Sequence, residues 1–129
     1  MEKEDENEKL RIKRVAFELI LGVSRNLYPN EFVGLLRKNK RGVVSEVLVL
    51  PQSTYGKGFS SIALHNIPMY GNYCGSVHSH PSRSALPSRA DLNFFSRLGE
   101  VHIIVAYPFR EEDARAFDGK GKEIVLEVV

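Results

Sequence analysis

Two histidines separated by a single residue and followed by a proline, His78-Ser79-His80-Pro81, are the part of this chain best suited to metal chemistry. On a β-strand alternate side chains project from the same face, so both imidazoles point one way with their Cα atoms ~6.5 Å apart. That separation lets two ring nitrogens meet one ion at the ~2.0–2.1 Å that zinc asks of nitrogen ligands. Taken alone, the pattern fits two structural or surface histidines equally well.

Seven residues separate His80 from Ser88, and two of them, Pro81 and Pro87, restrict the path of the loop. Ser88-Arg89-Ala90-Asp91 then has the form of a helix start, with the serine hydroxyl capping the first turn and the Asp91 carboxylate returning to the Ser88 amide. A capped helix start is also a rigid place from which to aim a carboxylate, which makes Asp91 a candidate third ligand. Two imidazoles and one carboxylate suit a catalytic zinc whose fourth position is kept for water. Glu31 follows Tyr28-Pro29-Asn30 and precedes the apolar run Phe32 to Leu36. An ordinary surface acid fits that place, and so does a partly desolvated general base.

The elements that must position these groups follow from the hydrophobic pattern. Residues 1–9 contain no apolar residue after Met1 and read as a solvated, flexible tail. From Leu10, the residues Ile12, Val15, Phe17, Leu19, Ile20, Val23 and Leu27 form a stripe near helical spacing, and Pro29 closes that helix. Phe32 to Leu36 and Val43 to Leu50 read as strands about the turn Asn39 to Gly42. Pro51 to Gly58 is a loop, Ser60 to Leu64 a short strand, and Asn72 to Ser79 a strand running into Pro81. The helix opened by Ser88 runs to Leu98 and ends at Gly99. Val101 to Ala106 is the most strand-like run, and Ala114 to Phe117 with Glu123 to Val129 form a last hairpin. The order predicts one α/β (α+β) domain over residues 10–129, with a mixed sheet between helices.

The chain has 129 residues, 43% hydrophobic and 26% charged, as an ordinary globular domain does. A net charge of +2 provides no broad field for a polyanion, and Arg37, Lys38, Lys40 and Arg41 bracket a turn, so no nucleic-acid partner is expected. The single cysteine, Cys74, excludes an intrachain disulfide and a thiol-rich zinc cluster; it reads first as a small buried hydrophobe. His102, in an apolar strand, reads as a structural histidine, and neither it nor His65 has ligand spacing. No apolar run reaches the ~20 residues of a membrane span, and with no signal-peptide pattern the cytoplasm is the default compartment.

Glu31, His78-Ser79-His80-Pro81, Ser88 and Asp91, in this order and spacing, resemble the JAMM/MPN+ metalloprotease motif, and the resemblance extends from about Leu10 to Val129. It is nearest to compact archaeal members. The resemblance implies a cytidine-deaminase-like architecture, one zinc ion per chain on His78, His80 and Asp91, Glu31 as general acid/base, and Ser88 as a hydrogen-bond donor to the developing oxyanion. It further implies an isopeptidase acting after the C-terminal Gly-Gly of ubiquitin-like (SAMP-type) modifier proteins conjugated to lysines. The loop Asn66 to Tyr73 is a candidate for gripping the modifier, although Met69 and Tyr70 suit core packing as well. Two other readings stay open: a hydrolase trimming the C-terminus of a sulfur-carrier protein, and a metal-free scaffold domain. Assembly as a homodimer is left open too.

Overall fold

The computed structural model describes residues 8–51 and 72–129. The expected strand from Ser60 to Leu64, and the residues His65, Met69 and Tyr70, lie outside the described residues. The described elements are β1 (Lys9–Ile12), α1 (Arg14–Leu27), β2 (Val33–Lys38), β3 (Val44–Val49), β4 (Gly75–His80), α2 (Arg89–Leu98), β5 (Val101–Ala106), β6 (Ala114–Asp118) and β7 (Glu123–Val128), with a short 3-10 turn at Glu111–Asp113. No helix among them is long and apolar enough to cross a membrane.

The strands form a mixed sheet in the order β1-β3-β2-β4-β5-β6-β7, closed by pairing of β7 with β1. β4 lies between β2, its antiparallel neighbour, and β5, its parallel neighbour. Parallel neighbours need a crossover, and α2 supplies it. The period-2 alternation along β5 divides the interior into two layers. Val101, Ile103 and Val105 join Phe17, Ile20 and Leu21 of α1 in one apolar cluster, while Ile104 and Ala106 join Phe94 and Phe95 of α2 in the other.

The start of the chain departs from the helical reading. Leu10 and Ile12 continue an apolar stripe, yet Lys9–Ile12 forms β1 and pairs with Val125 to Val128. The helix begins at Arg14 and buries Ala16, Phe17, Ile20, Leu21 and Ser24. Val15 and Leu19 belong to the expected stripe but face outward, 72% and 45% exposed. At the other end Tyr28 takes an extended conformation (ψ 134°) and the helix stops, as a residue preceding Pro29 should.

Two close approaches fix β4 and α2. A Cβ on Gly75 would lie 1.6 Å from the Val101 carbonyl oxygen, and Gly99, at φ 126°, sits where a Cβ would meet the Cys74 carbonyl at 2.5 Å. His102 then ties the sheet to the last turn of α2. Its Nε2–H faces the carbonyl oxygens of Phe95 (3.1 Å) and Gly99 (3.2 Å), so Nδ1 is left bare to accept the Ser76 hydroxyl at 2.7 Å. The ring stacks on Phe95 with centroids 4.1 Å apart. The reading of His102 as structural therefore holds.

A neutral His102 satisfies every partner, and burial pushes its pKa down to about 4. The unfolded chain binds this proton near pH 6.5 and the folded chain does not. Stability should consequently fall as pH drops from about 6.5 toward 4, by roughly 3 kcal/mol from this group. Titration of the His102 ring resonances by NMR should show a neutral imidazole down to pH 5; protonation near 6.5 would contradict the assignment.

Candidate metal centre

The alternation that sorts β5 also sorts β4. Val77 and Ser79 face the α1 layer, while Ser76, His78 and His80 face α2. His78 is fully buried, and the His80 side chain is 15% exposed. The loop after β4 is anchored by Ala85, which enters the α2 cluster, and by the Tyr107 N–H, which donates to the carbonyls of His80 and Ser82. The chain thus returns to Ser88 at a fixed distance from β4.

Ser88 is the N-cap of α2, with φ −76° and ψ 170°. Its hydroxyl accepts the Asp91 N–H at 3.0 Å, and Asp91 Oδ2 accepts the Ser88 N–H at 2.9 Å. This reciprocal pair satisfies two of the orphan donors at a helix start and leaves the Asp91 carboxylate almost no rotamer freedom. The same carboxylate faces both imidazoles, with Oδ1 3.4 Å from His78 Nε2 and Oδ2 3.2 Å from His80 Nε2. The two Nε2 atoms are 3.1 Å apart.

These three side chains form the one group among the described residues whose donor atoms could hold a metal ion, all within 4.8 Å of one another. The donor set fits zinc. The two ring nitrogens are 3.1 Å apart, and each faces its own carboxylate oxygen, His80 Nε2 at 3.2 Å from Oδ2 and His78 Nε2 at 3.4 Å from Oδ1, spacings close to the ~3.3 Å between neighbouring ligand atoms around a zinc with ~2.0–2.1 Å bonds. His80 Nδ1–H donates to the Ser84 carbonyl at 2.9 Å. A carbonyl can only accept, so the neutral ring is fixed in the tautomer that presents a bare Nε2, as metal-binding histidines require. Three protein ligands leave a tetrahedral ion one free position. Cys74 does not fill it: its thiol faces the Leu36 carbonyl at 3.4 Å, and burial pushes its pKa up.

Electrostatics give the site the same character. Burial lowers the pKa of His78 despite the nearby Asp91. Burial also opposes charge on His80, but Asp91 and the Ser84 carbonyl outweigh it and the pKa rises. Burial would raise the pKa of Asp91; bonds to His78 and His80 overcome that and hold it well below the usual carboxylate range. A cation competes with the proton for the same Nε2 lone pairs, so metal affinity must fall in acid.

Glu31 enters through strand pairing. Val33 pairs with His78, and the Ser79 N–H donates to the Phe32 carbonyl at 2.9 Å. Glu31 comes directly before this paired segment, and its charge favours protonation of both His78 and His80. All five residues singled out by spacing therefore belong to one neighbourhood: the three candidate ligands, Ser88 beside Asp91, and Glu31 within electrostatic reach of both imidazoles. Ser79 and the Ser84 carbonyl were not singled out. Strand alternation was a signal for Ser79, because it aims a hydroxyl into an apolar layer where it needs a partner.

Comparison with known proteins agrees with this geometry. The family of prokaryotic homologues of the JAB domain matches residues 13–118. A protein of Haloferax volcanii named a probable metalloprotease is 33% identical over 123 residues, covering 88% of this chain and 76% of its own. The structure of a JAB1/MPN domain protein from Archaeoglobus fulgidus superposes with a TM-score of 0.74 at 36% identity, over 93% of this chain and 99% of that one. A structure described as JAMM, a metalloprotease-like zinc site in the proteasome and signalosome, gives 0.73 at 35% identity, over 95% and 99%.

Asp91→Asn separates the two tasks of Asp91, because an amide oxygen can still accept the Ser88 N–H. The variant should keep its melting temperature within a few degrees yet lose most bound metal by elemental analysis. Asp91→Ala should lose the metal and also ~1 kcal/mol of stability with the cap. Full metal content in either would remove Asp91 from the ligand set. With ligand geometry, fold and sequence all in agreement, the chain belongs to the prokaryotic homologues of the JAB domain, within the JAMM metalloprotease family.

Proposed function

We propose that this chain is a zinc-dependent isopeptidase or peptidase that hydrolyses the amide after the C-terminal Gly-Gly of a ubiquitin-like modifier, releasing it from a lysine conjugate. The observation that carries the hydrolase reading is the cluster of His78, His80 and Asp91 donor atoms, with Glu31 near enough for its charge to act on both imidazoles. A zinc ion there supplies a Lewis acid and a water acidified toward neutral pH. Glu31 accepts a proton from the attacking water and returns it to the departing amine. Ser88 can serve two roles at once. Its oxygen accepts the Asp91 N–H, which leaves the hydroxyl proton to be donated to the oxyanion of the tetrahedral intermediate.

Membership of a metalloprotease family and an archaeal relative named as a probable metalloprotease support peptide-type amides as substrates. The choice of a small ubiquitin-like modifier rests on the motif resemblance. A scaffold role is disfavoured because a domain that only binds partners has no need of three converging ligands.

The test is incubation with a SAMP-type modifier joined through its terminal glycine to a lysine, with and without chelator, read by intact mass. The expected products are the free modifier and an unmodified lysine, with no cleavage in the chelated sample. Cleavage only of a C-terminally extended, unconjugated carrier would point to the sulfur-carrier reading instead. Glu31→Gln should keep its zinc and lose about 10²–10⁴-fold in kcat. Ser88→Ala should lose ~3 kcal/mol of transition-state stabilisation, mostly in kcat, with ~1 kcal/mol of fold stability from the lost cap. Wild-type turnover in Glu31→Gln would refute its role as the base.

A further inference from the structure

Ser79 lies between the two histidines but points away from them. Alternation along β4 turns it toward the α1 layer, where it is 1% exposed. Its hydroxyl accepts the Phe32 N–H at 2.8 Å, and its own N–H donates to the Phe32 carbonyl at 2.9 Å. Directly opposed antiparallel residues in a hydrogen-bonded pair normally exchange two backbone bonds; here the second runs to a side chain. Glu31 and Phe32 precede the regular ladder of β2, which starts at Val33.

We propose that Ser79 is a positioning residue for Glu31, so the inference rests on Glu31 being the base. The Phe32 N–H belongs to the Glu31–Phe32 peptide, whose planar group includes the Glu31 Cα. Holding that N–H sets the orientation of the plane and hence the direction in which the Glu31 side chain leaves the backbone. On the other side, the Asn30 N–H is tied to the Leu27 carbonyl at 2.7 Å, so Glu31 hangs between two fixed points. β4 then carries both halves of the centre: His78 and His80 present ligands on one face, and Ser79 on the opposite face registers the base against them. A displacement of about 1 Å at a reacting group can cost about 10²-fold in rate.

Ser79→Ala removes the acceptor and Ser79→Thr keeps it. With Ser79→Ala, kcat should fall about 10- to 100-fold while KM and zinc affinity, measured by competition with a chromophoric chelator, stay within about twofold of wild type. Ser79→Thr should restore most of the rate. In a Glu31→Gln background, Ser79→Ala should cost almost nothing further, because the group it positions is gone; a merely structural role would lower the residual rate again. Amide exchange at Phe32 should quicken in Ser79→Ala with exchange at Leu35 unchanged. If Ser79→Ala does not fold, Ser79→Cys replaces it, being a weak acceptor of similar size.

Wild-type kcat in Ser79→Ala, or a full multiplicative loss in the double variant, would overturn the inference. If Glu31→Gln alone retains full turnover, or no amide substrate is cleaved, the underlying reading has failed. The exchange rate at Phe32 then decides by itself whether the hydroxyl holds that segment.

Discussion

The Asp91 carboxylate is a charge held out of water, 5% exposed, and such a group is stable only where donors surround it. It has them on two sides. The first turn of α2 offers the Ser88 N–H and the positive end of the helix, and β4 offers two imidazoles. The helix side is satisfied by geometry alone. The imidazole side is not: His80 Nδ1 already spends its proton on Ser84, so a neutral ring turns a lone pair, not a donor, toward the carboxylate. The His80 lone pair and the Asp91 carboxylate, 3.2 Å apart and with His78 Nε2 only 3.1 Å from the same nitrogen, repel one another unless a positive charge sits among them. A proton can serve in part, and a divalent cation serves all three groups at once.

Most of the fold can be understood as the apparatus that makes this meeting unavoidable. The parallel pairing of β4 and β5 demands a crossover, and the crossover is α2, whose N-terminus therefore returns beside the C-terminal end of β4. Gly75 and Gly99 allow the backbones at the far end of this unit to close tightly, and His102 locks the last turn of α2 to the sheet. The antiparallel pairing of β2 with β4 brings in Glu31 from a different part of the chain. The candidate ligands and the proposed base thus arrive on separate elements that share one strand as their reference.

What was legible in the sequence was what is decided locally. The spacing of His78 and His80 fixes their common face because a strand has no other period, and Ser88 with Asp91 spells a cap within four residues. Gly99, Asn39 and Gly42 mark ends and turns through backbone chemistry of their own. What stayed hidden depends on distant partners. Leu10 and Ile12 continue a helical stripe, yet β7, more than a hundred residues later, draws them into the sheet. Val15 and Leu19 are apolar but face outward, because the packing of α1 on the sheet selects Ala16, Phe17, Ile20 and Leu21. The link between Phe32 and Ser79 could not be read without the strand register.

The proposed chemistry requires two nitrogens and one carboxylate oxygen to bind a single ion and leave a corner open. X-ray absorption at the zinc edge of the loaded protein measures this directly. The expected result is a four-coordinate ion with only nitrogen and oxygen neighbours at ~2.0–2.1 Å, two of them showing imidazole scattering, and a non-protein oxygen that a small anion can replace. A sulfur neighbour at ~2.3 Å, or a fourth ligand from the chain that no anion displaces, would contradict it.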